Sequence, residues 1–286
     1  PIKFTSIIEQ HNHNQNDYIS KHQGYSTNAY NIFLGLKFGI GKHIIVLNLD
    51  NDFTRLKETG RAVLNNVNRY IDLKKLRFEN IMASADIQTS DEEYTKSLNW
   101  ILFQTDNLIM SKVGKGIYAG YPWFNNYWGR DTFIAFAGAT LVNGNFNDAR
   151  EIMSSFLKFQ NTKIGSEFYG RIPNRVNNES DIIYNTADGT QWSIIQIYNY
   201  LKYTGDIEFA ARTFENIKLS IEGNLLRCDS DFFLTHKDAE TWMDAQIDGR
   251  IPITPRGNRA NDIQILWYFQ LRCAAAISRY LSDYES

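Results

Sequence analysis

The stretch Gly120-Tyr121-Pro122-Trp123-Phe124-Asn125-Asn126-Tyr127-Trp128-Gly129-Arg130-Asp131 places five aromatic rings directly before an adjacent cation and carboxylate. A pyranose ring has an apolar face that stacks on indole or phenol, and its hydroxyl rim needs forked donors and acceptors such as Arg and Asp. The bland alternative is that these aromatics are core and that Asp131 caps a helix. A second segment holds Ile172-Pro173-Asn174-Arg175 and then Tyr184-Asn185-Thr186-Ala187-Asp188, one turn before Trp192. There Asn185 and Asp188 could hold hydroxyls while Trp192 stacks, or they could simply form an Asx turn and an N-cap. A third, Lys237-Asp238-Ala239-Glu240-Thr241-Trp242-Met243-Asp244, flanks a tryptophan with carboxylates. Glycoside hydrolysis needs one carboxylic acid to protonate the leaving oxygen and a second group to activate water or attack carbon. Asp244 or Glu240 could be that acid, and a solvated acidic loop is the competing reading.

Other chemistries find less support. Gly35 to Lys42 resembles a phosphate loop, but the spacing is wrong and His43 stands where Ser or Thr is required. His11 and His13 have metal-like spacing without a nearby carboxylate cluster, so no metal is expected, and His236 alone is no better. Cys228 and Cys273 form neither a disulfide framework nor a Cys-x-x-Cys pair and read as reduced packing residues. No Ser/His/Asp or Cys/His arrangement supports acyl transfer.

The elements that must position these segments follow from periodicity. Two β-rich runs, Tyr30 to Phe38 and His43 to Leu49, are joined by Gly39-Ile40-Gly41, which predicts a strand pair. From Asp52 the period becomes helical, with Phe53, Leu56, Val63, Leu64, Val67, Tyr70 and Ile71 near one face. A polar stretch from Ala83 to Ser90 reads as a linker, and Ser90 with Glu93 as a capping box opening the next helix. Five further helices are predicted at about 131–142, 147–160, 188–204, 207–222 and 261–282. Their connections alternate: the turns at Asn143-Gly144-Asn145 and Thr204-Gly205-Asp206 are tight, whereas 112–130, 161–187 and 223–260 are long. Antiparallel helix hairpins put the long loops at one end, so all three chemistry-bearing segments should meet. The organisation expected is the end of a β-sandwich domain at 1–51, a linker helix and connection at 52–89, and a helical domain at 90–286.

The chain has 286 residues, 43% of them apolar, enough for a sizeable core. With 30 basic against 32 acidic side chains its formal charge is −2, which leaves no field to gather nucleic acid or anionic lipid. No run of about 18 apolar residues could span a bilayer, and no secretory leader is evident, so a cytoplasmic location is expected. The start at Pro1 points to a processed product or a piece of something longer.

The collinear set Ala119-Gly120-Tyr121-Pro122-Trp123-Phe124, Trp128-Gly129-Arg130-Asp131, Ile172-Pro173-Asn174-Arg175, Tyr184-Asn185-Thr186-Ala187-Asp188, Thr241-Trp242-Met243-Asp244 and Leu266-Trp267-Tyr268 resembles the glucosidase domain of glycogen debranching enzymes, the amylo-α-1,6-glucosidases. The resemblance covers about residues 85–286, and the β-rich start is similar to the end of the β-sandwich that precedes this domain. It implies a mainly α fold, an (α/α)6 six-hairpin barrel. It further implies hydrolysis, with inversion, of the α-1,6-linked glucose at a branch of glycogen or limit dextrin, without a cofactor. Carried over residue by residue, Asp244 matches the general acid, and Arg130 with Asp131 matches the pair that grips the terminal glucose. Trp128, Trp123 and Trp192 would shape the pocket, and Tyr121, Asn185, Asp188, Glu240 and Trp242 complete the substrate-binding set. An acid working at pH 7 needs a raised pKa, which Glu240 or Asp238 could supply as a neighbouring carboxylate.

Six helices make about the first half of such a barrel, so the resemblance places the catalytic base beyond residue 286. The chain alone is then expected to be inactive, and its concave apolar face to be covered by the missing half or by an oligomeric partner. Asn261-Asp262-Ile263 departs from relatives, in which a Glu precedes Ile-Asn. The competing assignments are another exo-acting (α/α)6 glucosidase of glucoamylase or trehalase type, a non-catalytic α-glucan-binding module, and a helical interaction scaffold.

Overall fold

A computed structural model describes residues 11–12, 30–31, 40–41, 44–46, 52–85 and 87–285. The chain divides into two units, residues 1–75 and 76–286. In the first, β1 (His11–Asn12) pairs antiparallel with β2 (Tyr30–Asn31). Most of the strand pair expected over 30–49 lies outside the described residues. The helical period after Asp52 yields two helices, α1 (Phe53–Asn65) and α2 (Val67–Ser84), the latter running on into the second unit. The Asp52 carboxylate caps α1 by accepting from the amides of Thr54 and Arg55.

Six helices follow, as the apolar periods predict. They are α3 (Glu92–Leu108), α4 (Gly129–Phe136), α5 (Phe146–Leu157), α6 (Gly189–Thr204), α7 (Ile207–Leu225) and α8 (Asn261–Glu285). The cap of α3 is Asp91 rather than Ser90: its carboxylate accepts from the Glu93 amide at 2.9 Å and the Tyr94 amide at 3.1 Å. A carboxylate one residue nearer the helix reaches those orphan amides directly and carries a charge the helix dipole favours, so the Ser90 box is not used. Helix α4 continues into a π-helical turn, Ala137–Leu141. Between α6 and α7, Gly205 takes a left-handed φ of 65° and Asp206 caps the next helix through the Phe209 amide, which makes the turn tight.

Helix α6 is the spine. It packs most extensively against α8 and α4, and Ile194 and Ile197 are fully buried in the same cluster as Phe133, Phe136, Ile152, Phe156, Ile217 and Ile277. Cys273 is buried in this core and Cys228 half-buried, and neither forms a disulfide.

The long connections are not plain loops. An antiparallel five-stranded sheet crosses them, in the order β3 (Ile109–Ser111), β4 (Lys115–Gly120), β5 (Phe124–Trp128), β6 (Arg175–Asn178) and β7 (Asp181–Ile183). Tyr118 pairs with Tyr127, Tyr127 with Val176, and Arg175 with Ile183. The Tyr127 hydroxyl donates to the Met110 carbonyl at 2.7 Å and accepts from the Lys112 amide at 2.6 Å, tying β5 back to β3. A further hairpin joins β8 (Gln246–Ile247) to β9 (Ile251–Pro252). These strands escape sequence reading because they are short and their aromatic or β-branched positions alternate with Asn and Gly.

Candidate active site

Gly129 joins β5 to α4 and sets the orientation of Arg130 and Asp131. Its amide donates to the Asn174 carbonyl at 2.6 Å, and a Cβ at this position would collide with the Pro173 carbonyl oxygen. Only glycine lets the first turn of α4 press this closely against the second long connection. The α4 N-terminus has no side-chain cap, so Asp131 is not a capping residue.

Arg130 is buried and its guanidinium serves three partners. Nε donates to Asp188 at 2.7 Å to Oδ2 and 3.0 Å to Oδ1, Nη1 donates to Asp244 Oδ2 at 2.7 Å, and Nη2 donates to the Glu240 carbonyl at 3.1 Å. Burial opposes its charge, but Asp188 and Asp244 outweigh that and hold its pKa above the ordinary value. Asp188 occupies the N-cap position of α6 yet makes no capping hydrogen bond. Its carboxylate faces Arg130 instead, which corrects the plain N-cap reading.

Glu240 does not stand beside Asp244 as a second acid. Its buried carboxylate forms a bidentate pair with buried Arg171, Nη1 to Oε1 at 3.1 Å and Nη2 to Oε2 at 2.9 Å. Burial pushes the Glu240 pKa up, but Arg171 prevails and holds it below the ordinary value. Asp238 Oδ1 accepts from the Gly257 amide at 2.6 Å. Glu240 is thus paired with Arg171 and Asp238 with a backbone amide, and the near partner of Asp244 is the Arg130 cation. The carboxylate that feels Asp244 is Asp131. Its carboxyl is pushed upward first by the protein that displaces water around it and further by the charge of Asp244, with Arg130 opposing.

Residues of all three long connections line one cavity of about 630 Å³. Trp128, Arg130, Asp131, Asn185, Trp242 and Asp244 are brought together there, with Phe124, Asn174 and Gln246, which sequence reading had not assigned. The size suits a small ligand. Asp188 and Glu240 contact Arg130 without lining the cavity. Asp244 is 44% exposed at the wall while Arg130 behind it is 10% exposed, so the carboxylate is presented and its partner is fixed. Trp128 Nε1 and Asn174 Oδ1 have no hydrogen-bond partner, each an incomplete polar group at the cavity.

Three expected site residues lie elsewhere. Trp192 packs, half-buried, against the main core, because α6 is enclosed on nearly every face. Tyr121 and Trp123 are 55% and 53% exposed and do not line the cavity; Tyr121 packs edge-on to Tyr118. His236 is structural: it is buried, Nε2 accepts from the Ala260 amide at 2.9 Å, and Nδ1 lies 3.0 Å from the Lys237 carbonyl. Among the described residues no group of His, Cys, Asp or Glu side chains is placed to hold a metal ion, and no helix is long and apolar enough to cross a membrane.

Sequence reading missed Arg171 entirely. It binds the Tyr184 carbonyl at 3.0 Å as well as Glu240, so it ties the second long connection to the third. The model of the amylo-alpha-1,6-glucosidase family matches residues 84–285, which take in the six helices, the five-stranded sheet and the cavity. By this match the chain belongs to the amylo-alpha-1,6-glucosidase family of glycoside hydrolases.

Proposed function

We propose that the cavity holds the terminal α-1,6-linked glucose of a glycogen or limit-dextrin branch, and that the protein hydrolyses this bond with inversion, Asp244 protonating the leaving oxygen. The observation that carries the reading is one arrangement: Arg130, its neighbour Asp131, and Asp244, 114 residues after Arg130, line a single cavity with Trp128 and Trp242. Aromatic walls suit the apolar faces of the sugar, and the Arg-Asp pair suits its hydroxyls.

A general acid must carry its proton before the reaction begins. Arg130 Nη1 donates to Asp244 Oδ2 at 2.7 Å and so fixes that carboxylate at the cavity wall. Arg130 stays in place because Asp188 and the Glu240 carbonyl hold its other nitrogens. The base that activates water is expected beyond residue 286, and the six helices are read as successive members of an (α/α)6 barrel.

A second reading exchanges two roles, with Asp131 as proton donor. It is favoured by the upward push that burial and Asp244 exert on the Asp131 carboxyl. Glucose release by the full-length protein from a phosphorylase-limit dextrin, maltose and trehalose tests the assignment. The proposal expects the dextrin branch to be cleaved fastest and Asp244→Asn to abolish that release. Preference for maltose or trehalose would point to a glucoamylase- or trehalase-like enzyme, and dextrin binding without release to a glucan-binding module.

A further inference from the structure

A second cavity, of about 770 Å³, opens between the β3–β4 hairpin, α5 and α7, and it shares no wall residue with the first. We propose that it binds a small phosphorylated ligand, whose phosphate dianion is held by Lys112, Arg150 and Arg212. The proposal stands independently of the glucosidase reading above.

Local structure builds the site. Asn147, Arg150, Glu151 and Ser154 recur at three- and four-residue spacing, so α5 presents them on one face. The hairpin is pressed onto that face at Gly114, whose φ of 69° is left-handed and where a Cβ would collide with the Ser155 hydroxyl. The Lys115 amide donates to the same hydroxyl at 2.8 Å. Lys112 thereby enters from the hairpin turn, Arg150 from α5 and Arg212 from α7.

Charge selects the ligand. Four cations and one carboxylate line this cavity, in a chain whose 30 basic and 32 acidic residues nearly balance. Lys115 is already neutralised, by Glu151 at 2.7 Å and Asp148 at 2.6 Å. The other three are not. Lys112 Nζ donates to neutral amide oxygens, Asn126 Oδ1 at 3.3 Å and Asn177 Oδ1 at 3.0 Å. Arg150 Nη1 stands 3.6 Å from Asp206, beyond hydrogen-bonding distance, and Arg212 makes no hydrogen bond or ion pair among the described residues. Both guanidinium groups lie 5.8 Å from the centroid of one ring, Phe209, so two like charges are gathered there without a bonded carboxylate. A bound dianion offsets that repulsion, and the arginine forks match phosphate oxygens while lysine adds a point charge. No aromatic or aliphatic side chain lines the cavity to stack on a base or cover an acyl chain, whereas Asn147 and the serines suit hydroxyls. A phosphate carried on a polyol fits that lining.

The test is calorimetric titration of this chain, at fixed ionic strength, with sorbitol 6-phosphate, sorbitol and inorganic phosphate. The open-chain polyol has no pyranose ring to occupy the first cavity. Wild type is expected to bind sorbitol 6-phosphate and to give no binding heat with sorbitol. Arg150→Ala and Arg212→Ala should each weaken the phosphate ester about tenfold, the loss of one charge-assisted contact. Lys163→Ala, which removes an exposed cation outside the cavity, should change it less than twofold, and unaltered thermal unfolding shows each variant folded. Inorganic phosphate bound as tightly as the ester supports the site with the free ion as its ligand; an ester bound more tightly supports it with the polyol phosphate. No binding of either anion, unchanged affinity in both arginine variants, or a loss as large in Lys163→Ala overturns the proposal.

Discussion

The Arg130 guanidinium holds the Asp244 carboxylate at 2.7 Å across 114 residues of chain. The same planar fork reaches Asp188 and the Glu240 carbonyl, so one side chain fixes the entrance of α4, the start of α6 and the third long connection. Lysine offers a point charge instead of a fork and cannot serve three directions at once. Arg130→Lys is therefore expected to lower kcat/KM for branch hydrolysis about 100-fold, the order associated with misplacement of a reacting group by about 1 Å. Steady-state kinetics on a branched dextrin decides; a loss under threefold would show that the fork is dispensable.

The Arg171–Glu240 pair is buried and bidentate, so removing one partner strands a charge. Arg171→Met is expected to destabilise by about 3–5 kcal/mol, and the double variant Arg171→Met/Glu240→Leu by clearly less than the sum of the single changes. Urea unfolding of the four members of the cycle measures this. Strict additivity would mean that the two residues do not act as a pair.

Acid sensitivity follows from two buried carboxylates held below their ordinary pKa, Glu240 and Asp148. Burial alone would raise both, but Arg171 lowers Glu240, and Lys115 at 2.6 Å and Arg77 at 2.6 Å lower Asp148. A folded pKa below the unfolded one contributes stability that is present above the unfolded value, about 4, and is lost as pH falls through the folded value. Tm should thus be flat from pH 7 to about pH 5 and fall steeply below pH 4. In Asp148→Asn the neutral-pH Tm should drop and the acid limb become shallower. A wild-type Tm that rises on acidification would contradict this.

Asp131 has the opposite sign. Its pKa is raised, so ionisation costs stability above its unfolded pKa and nothing below. Asp131→Asn should raise Tm at pH 7, by no more than about 2 °C because the group is solvent-accessible and screened, with the gain vanishing below about pH 4. The same variant should lose glucose affinity. Stability gained together with unchanged binding would remove Asp131 from the sugar site.

Much of this is legible in the sequence. The apolar periods located six helices, and Gly205-Asp206 announced a tight turn by chemistry that needs no partner. Arg130, Asp131, Trp128 and Asp244 stood out because unusual residue types were adjacent. What remained hidden depends on distant pairing. Arg171 matters through the Tyr184 carbonyl and through Glu240, 69 residues away, and no local pattern marks it. Trp192 resembles a sugar platform by its neighbours, yet its helix α6 is packed on nearly every face, so a side chain on the face away from Ile194 and Ile197 also meets the core. The sheet was masked by strands of six residues or fewer, although Asp248-Gly249 between Ile247 and Ile251 was a readable hairpin signal for β8–β9.

The most direct test of the central claim separates the need for a proton donor from the need for a pocket. α-Glucosyl fluoride fills the first cavity but loses a leaving group that requires little protonation, whereas a limit dextrin needs its leaving oxygen protonated. Rates on both substrates should be measured for the full-length protein and for Asp244→Asn. The account predicts loss of at least 100-fold on the dextrin and less than tenfold on the fluoride. Equal losses on both substrates, or an Asp244→Asn enzyme that still cleaves the branch at the wild-type rate, would contradict Asp244 as the acid.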